Sequence, residues 1–343
     1  MDTPAAKSAP ALSYRHWHEG LNPDQCVSVD GNAPGRLNLS HWPGNRTPPG
    51  LRHDLSTGSA LLLAKAPDRA KLLKGITIVT NNHWDTDGVC SAWAVLEPEK
   101  ALAHGALLSA AAMAGDFEMF TTPEGVKIDL TLTALTKNPN SPVFSGKFGT
   151  ELECRGAQYA AGLELLPKLL ENPDLHADWF AREFWTIQKD MRLLREDRAQ
   201  IETFPGSVGL TMLRADRMFH RAAVNTLIET DRILCCARAE ESWQYELRLT
   251  TRSWFQLVSR PYLPRPDWVP LARLLNTAAN GGYGTWVAQD YRDPAPTLRF
   301  VDDKGDLAPN SARPTDIGAI VFAFFHSSAP GAVAPVTPAV PGA

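Results

Sequence analysis

The sequence predicts an α/β protein: a mainly parallel sheet domain with helices on both faces, plus a second α+β domain with antiparallel strands. Three observations lead there. Between about residues 20 and 150, short apolar, β-branched runs alternate with helical stretches, which suits parallel strand–helix–strand units. Beyond residue 205 the pattern changes to period-two alternation, clearest at 243–250 (WQYELRLT), as expected of antiparallel strands with one buried face. A chain of 343 residues, 44% hydrophobic and 21% charged, is long and apolar enough to bury the two cores this requires.

Residues 1–19 read as a flexible N-terminus, its first part rich in Ala, Ser and Pro. The α/β domain then spans 20–150. Residues 26–30 (CVSVD) and 37–41 (LNLSH) read as short strands, and the loop WPGNRTPPG after them has too many prolines and glycines for regular structure. An apolar helix opens at 54–57 (DLST) and runs to about Lys65; a strand follows at 76–79 and a helix at 91–96. A further helix starts after Pro98, carries His104 and ends near Gly115 and Asp116. Residues 151–204 read as a helical connector, helical from 154 to 201, which Pro205-Gly206 breaks. The α+β domain, 205–327, should hold strands at 208–213, 233–238, 243–250, 253–259, 286–291 and 297–301, with helices at 219–228, 268–278 and 315–325. Residues 328–343 form a Pro/Ala tail of disordered composition.

Composition narrows the partners. The net charge of −4 gives no bulk electrostatic reason to bind a long polyanion, so no long nucleic acid is expected. No apolar run approaches the roughly 20 residues of a membrane span, and the N-terminus lacks a basic-then-apolar signal pattern. Cys26, Cys90, Cys154, Cys235 and Cys236 form no CxxC pair or even framework, which points to reduced thiols and a cytoplasmic protein. Nothing in the sequence fixes an oligomeric state.

The chemistry concentrates in residues 76–95, ITIVTNNHWDTDGVCSAWAV. His83, Asp85 and Asp87 follow an apolar strand and precede a helix. In an extended segment alternate residues point the same way, so the three would converge just past the strand's carboxyl end, where open α/β sheets place ligands. Two neighbouring carboxylates repel unless a cation or a proton separates them. The alternative is an Asp-rich turn that caps the helix, with Asp87 as N-cap.

Residues 85–92, DTDGVCSA, have the form D-x-D-G-x-x-S-A after a strand. This resembles the first motif of the DHH phosphoesterase superfamily, which includes RecJ-type exonucleases, small-RNA nucleases, family II pyrophosphatases and exopolyphosphatases. His83 sits where the RecJ branch has an Asp; the pyrophosphatase branch has its His four residues ahead of the motif. Residues 39–45, LSHWPGN, resemble the family's D-H-H-P-x-N segment, with Ser40 in place of the Asp, His41 kept and Trp42 in place of the second His. Residues 54–60, DLSTGSA, resemble the helix start that follows that segment in the oligoribonuclease branch. Here the second segment precedes the first motif, so the resemblance implies a permuted or strongly diverged domain. Residues 205–327 resemble the family's DHH-associated substrate domain in their α+β character and Gly-rich NGGYG loop, which implies a substrate-binding domain, although the loop lacks the His of the family's GGGH.

The resemblance implies two divalent cations, commonly manganese, held by imidazole and carboxylate ligands, and hydrolysis of a phosphoester between them. On this reading Asp85, Asp87 and His83 are catalytic metal ligands, His41 is a further ligand, and Asp116 is the separate Asp the family supplies from its next strand–helix unit. The helix that begins at 88–91 would point its N-terminus, with Ser91, at the phosphate.

Other candidates have plainer readings beside the functional one. Asp116 follows a glycine, as helix-end residues do, and His104 suits a half-buried position on an Ala/Leu helix. Asp54 suits a helix N-cap. His16 and His18 fall near the terminus and read as solvated; His220 reads as structural. Arg252, Arg260 and Arg265 line the alternating strands; Arg252 and Arg260 are candidate phosphate-binding residues, against ordinary exposed strand arginines. Trp42, Trp84 and Trp93 cluster around the motifs, where they can stack a base or pack in the core.

Three functions follow. The first is a metal-dependent phosphoesterase that hydrolyses a small phosphoester or phosphoanhydride, such as a short oligonucleotide, a dinucleotide or pyrophosphate. The second is a haloacid-dehalogenase-like phosphatase with Asp85 as covalent nucleophile; the four polar residues before the motif and the absence of a following Lys-plus-DD pattern weigh against it. The third is an inactive DHH-like protein that binds a nucleotide or a partner. For the first, Asp87→Asn should remove activity and leave the fold intact, even stabilising the apo protein by relieving carboxylate repulsion.

Overall fold

The structure, a computed structural model, describes residues 12–327 apart from 197, 207 and 280. Residues 1–11 and the tail expected at 328–343 lie outside the described residues. The chain divides into two compact units, Met1–Gly115 with Thr122–Phe180, and Asp116–Thr121 with Ala181–Ala343.

The first unit is built on four short strands: β1 (Ser13–Tyr14), β2 (Cys26–Val29), β3 (Leu37–Leu39) and β4 (Ile78–Thr80). They lie in the order β1-β4-β2-β3 and every pairing is parallel. Val27 pairs with both Leu37 and Val79, which fixes the register across the centre. Every residue of β2, β3 and β4 is buried, the condition under which a parallel sheet reads as continuous apolar runs. Ser13–Tyr14, counted with the flexible terminus from sequence, pairs with Ile78 and Val79.

Around the sheet run α1 (Ser56–Lys65), α2 (Arg69–Leu72), α3 (Thr86–Leu96), α4 (Pro98–Ala103), α5 (Gly105–Asp116), α6 (Pro123–Lys137) and α7 (Glu151–Glu171). Helix α3 is buried from Thr86 to Val95, because it is small or apolar on all sides. It begins five residues earlier than its apolar stretch suggests, since Asp85 is its N-cap. Helix α6, not among the expected helices, carries a start readable in the sequence: Thr122 caps it, accepting from the Gly125 N–H, and Pro123 takes the first position.

The second unit holds α8 (Ala177–Arg195, entered from the first unit), β5 (Ala199–Thr203), β6 (Leu210–Ala215), α9 (Arg221–Leu227), β7 (Arg232–Ala239), β8 (Ser242–Leu249), α10 (Val269–Ala278), β9 (Thr285–Ala288), β10 (Thr297–Val301) and α11 (Pro314–Ser327). Its sheet has the order β5-β6-β7-β8-β10-β9. The expected antiparallel sheet is in fact mixed. β6 and β7 run parallel because α9 lies between them and returns the chain to the same end. The helix expected to reach residue 201 gives way to β5, where Ile201 and Thr203 pair with β6. The strand expected at 253–259 is absent: a 3₁₀ turn spans Thr251–Ser253, and the Ser253 hydroxyl closes it by donating to the Thr250 carbonyl.

Candidate metal centre

The residues that meet at the carboxyl ends of β2, β3 and β4 come from four chain segments. Asp30 directly follows β2 and its N–H still donates to the Leu39 carbonyl, so the ladder delivers it to the sheet's end. There its backbone turns left-handed, with φ 43°, and Gly31 follows at φ 88°. Asp tolerates that region better than most residues, at a cost of about 1–3 kcal/mol. Gly31 is required: a Cβ there would sit 2.5 Å from the Asn82 Oδ1 and 3.1 Å from the His83 ring. His41 follows β3, His83 and Asp85 lie in the loop after β4, and Asp87 sits in the first turn of α3.

His83, Asp85 and Asp87 thus approach one site, but not by strand alternation. The strand ends at Thr80 and the helix begins at Thr86, so Asp87 is delivered by a helical turn. The Asp85 Oδ1 accepts from the Gly88 N–H at 2.7 Å, which makes Asp85 the cap of α3. Asp87, weighed as that cap, instead reaches another helix: its two oxygens accept from the Ser56 and Thr57 N–H groups, each at 2.7 Å, and so satisfy the N-terminus of α1. Asp54, expected to cap α1, does not; Leu55 is the cap position and makes no side-chain bond. The Asp54 carbonyl accepts from the His41 Nδ1–H instead.

That bond fixes the His41 tautomer and turns Nε2 toward Asp30 Oδ1 at 3.6 Å and Asp87 Oδ2 at 3.7 Å. The His83 Nε2 lies 2.7 Å from both Asp30 Oδ2 and Asp85 Oδ2. One imidazole nitrogen can present one hydrogen to one acceptor, so one of these two carboxylate oxygens goes without it. Two groups of possible ligand atoms result: Asp30, His41, Asp87 and Asp116, and Asp30, His83 and Asp85, the atoms within each lying within 4.8 Å of one another. Asp116 is the last residue of α5. Oxygen and imidazole donors converging on an under-satisfied carboxylate fit a divalent cation.

The electrostatics say the same. Burial alone would raise the Asp30 carboxyl, but the imidazoles of His83 and His41 hold it well below the usual carboxylate range. Burial would lower His83, yet Asp85 and Asp30 push it well above the ordinary imidazole value. Burial and the Asp30 charge push Asp87 up to about 6, against the pull of His41 and the Thr57 hydrogen bond. Burial and Asp30 likewise raise Asp85. Protons thus partly balance the carboxylates, which a bound cation would release.

Asp30 is not among the residues the sequence motifs single out, although it lies at the end of an apolar run and precedes a glycine, as a ligand at a sheet's carboxyl edge does. Neither is Tyr159 of α7. This ring is fully buried, stacks on Tyr14 at 4.4 Å and meets the edge of Trp84 at 5.1 Å. Its hydroxyl has no hydrogen-bond partner among the described residues and comes against Gly88, where a Cβ would lie 2.3 Å from it, 2.8 Å from Asn81 Nδ2 and 3.0 Å from Asp85 Oδ1. No local signal in the sequence marks it. Trp42 packs on the His83 ring at 4.5 Å, while Trp93 is in the core.

The remaining candidates lie elsewhere. Ser91 is buried and donates to the Gly88 carbonyl within α3. Arg252 and Arg260 belong to the second unit, where both face Asp231, Arg260 at 2.8 Å. Arg265 donates to the Asp293 and Pro294 carbonyls. His220 caps α9. His16, expected in solvent, is half-buried beside Tyr159. No helix among the described residues is long and apolar enough to cross a membrane, and none of the five cysteines forms a disulfide.

The family of unknown function DUF6687 matches residues 10–331, and the chain belongs to it. No curated protein matches the chain. Among solved structures it is similar to the pGpG-specific phosphodiesterase PggH from Vibrio cholerae, at 10% identity over 88% of this chain and 82% of that one, with a TM-score of 0.31.

Proposed function

We propose that this member of the DUF6687 family is a divalent-cation-dependent phosphoesterase acting on a small phosphorylated substrate. The observation that supports this reading most is that two His/Asp sets share one carboxylate, Asp30. A pair of cations held a few ångströms apart supplies a water-derived nucleophile near neutral pH and stabilises the attacking and leaving oxygens. In this chain Asp30 would bridge the two positions, with His41, Asp87 and Asp116 completing the inner one and His83 and Asp85 the outer one. The donor set, rich in carboxylate with one imidazole on each side, suits manganese.

The protein's own groups have distinct tasks. The Asp54 carbonyl holds the His41 ring with Nε2 inward. The α1 N-terminus holds Asp87 by both oxygens. The His83 and Asp85 side chains keep 21% and 32% of their surface accessible, so substrate would enter on their side. The α3 N-terminus, expected to receive phosphate, already donates its Gly88 N–H to Asp85. The resemblance to DHH phosphoesterases agrees with this assignment, and the acidic net charge favours a short oligonucleotide, a dinucleotide or pyrophosphate over a long duplex. A covalent mechanism through Asp85 has less support, because one oxygen caps α3 and the other faces His83.

The test is turnover of a generic phosphodiester, dinucleotides, short oligonucleotides and pyrophosphate with manganese, cobalt or magnesium, alongside anomalous scattering from manganese-soaked crystals. Two ions flanking Asp30 and manganese-dependent turnover are expected. Crystals with no ion at Asp30, or two ions without turnover of any substrate, would replace hydrolysis with another role for the centre.

A further inference from the structure

The second unit contains a cavity of about 630 Å³ whose lining includes Arg198, Arg214, Arg238, Arg313, Trp243 and Thr315. Its origin lies in the strand pattern. On β6, β7 and β8 alternate residues face the same side of the sheet. Leu210 and Met212, Leu234 and Cys236, and Leu247 and Tyr245 all belong to the unit's apolar core. The next residue on that side of each strand is Arg214, Arg238 and Trp243 respectively. The ladders bring these to one end of the sheet, with Arg214 opposite Cys236 and Arg238 opposite Trp243. The core face therefore ends in two guanidiniums and an indole. Arg198 joins from just before β5, and Arg313 to Thr315 from the start of α11.

Acids stand near this cluster, but loosely. Arg214 lies 3.3 Å from Glu202, Arg313 3.0 Å from Asp316 and Arg238 4.0 Å from Glu241, and all three acids are about half exposed or more. Asp216 also lines the cavity. Exposed pairs of this kind contribute little and yield to a better-placed anion. Arg198 is exposed and has no ion pair among the described residues. Guanidinium forks match phosphate oxygens. The Arg238 guanidinium lies over the Trp243 ring, 5.7 Å from its centroid, which sets a planar, electron-rich surface beside the cationic one. The volume suits a small organic molecule and is far more than one phosphate ion fills.

We propose that this cavity binds a nucleoside phosphate, with Arg198, Arg214 and Arg313 on the phosphates and Trp243 against the base. The site stands independently of the metal centre and of the reading given to it. Calorimetric titration of the full chain, freed of metal by dialysis against a chelator, tests it with ADP, adenosine and inorganic phosphate as probes. ADP is expected to bind saturably, and adenosine and phosphate each about tenfold or more weaker. Arg198→Glu alters an exposed side chain with no ion pair among the described residues, so its unfolding midpoint should match wild type while ADP affinity falls at least about tenfold. Trp243→Leu should weaken ADP and leave phosphate unchanged. No saturable ADP binding, equal ADP affinity in wild type and Arg198→Glu, or phosphate bound as tightly as ADP overturns the proposal.

Discussion

The two sides of the carboxylate–imidazole centre differ in what holds them. On the inner side, Asp87 and His41 are sealed from solvent and gripped by backbone: two helix N–H groups on Asp87, a carbonyl on His41. On the outer side, His83 and Asp85 are partly open and hold each other, with the Gly88 N–H donating to the Asp85 carboxylate. Asp30 belongs to both. The inner ligands are therefore also parts of the fold, whereas the outer ligands can be changed with little structural loss. A side-chain change should report on chemistry alone at the outer side, and on stability as well at the inner side.

The largest effect should come from Asp30, the element common to both sides. Asp30→Asn is expected to lower manganese-dependent turnover by about 10²–10³-fold or more, the scale of removing one principal electrostatic stabiliser. Calorimetry should show both ion sites lost together. If one ion still binds with wild-type affinity, the sides do not share Asp30 and the comparison fails.

Stability should separate the sides next. Asparagine at 87 offers one acceptor where two N–H groups need one each, so one donor of α1 is left facing an amide. Asp87→Asn is therefore expected to cost about 1–3 kcal/mol in urea unfolding, offset in part by relief of repulsion from Asp30. This revises the sequence-based expectation that the change would be neutral or stabilising, since that expectation did not include the helix Asp87 serves. Asparagine caps about as well as aspartate, so Asp85→Asn should stay within a few tenths of a kcal/mol while activity falls. Equal losses in the two variants would remove the distinction.

Gly88 probes the seam behind the outer side. Alanine favours a helix by about 1 kcal/mol, but here its Cβ would meet the Tyr159 hydroxyl at 2.3 Å and Asn81 at 2.8 Å. Gly88→Ala should therefore be net destabilising, by about 1–3 kcal/mol. Tyr159→Phe in the same chain should recover part of the loss, because it removes the nearest of the clashing atoms. A Gly88→Ala protein with a higher urea midpoint than wild type would show that α3 can shift away from Tyr159.

Much of this was legible from residues. The DTDG run after a strand, the strand-end His41 and the helix at α1 all announce themselves by local pattern, and those segments do meet. What was not legible has a common cause: it depends on which distant segment a polar atom faces. Asp30 looks like the end of any buried strand until His83 is folded over it. Asp87 takes the place expected of Asp54 at the α1 N–H groups, although it lies 30 residues away from Thr57 in the chain, and Asp85 takes the cap of α3. Tyr159 lies on a long helix with no motif near it. In the second unit, alternation found β8 but failed at 253–259, where hydroxyl-to-backbone bonds close a turn that period-two counting cannot see.

The smallest effect concerns His16, at the edge of the outer side. Its ring accepts or donates to the Tyr14 hydroxyl at 3.2 Å and stacks against Tyr159. Burial, followed by the charges of Arg155, His83 and His18, lowers its pKa from 6.5 to about 4. The folded state therefore prefers the neutral ring, while the unfolded chain takes up a proton near pH 6.5. Stability from this group is fully present above about pH 6.5 and is lost as the pH falls toward 4. Asp87, pushed up to about 6, works in the opposite direction over the same range, but it is common to both proteins and cancels in a comparison. In chelator, His16→Gln should lose less of its urea midpoint between pH 7 and pH 4.5 than wild type does, because glutamine does not titrate. Parallel curves for the two proteins would mean that the ring at 16 stays neutral or charged alike in both states. The outer side would then be more open to water than its packing against Tyr159 implies.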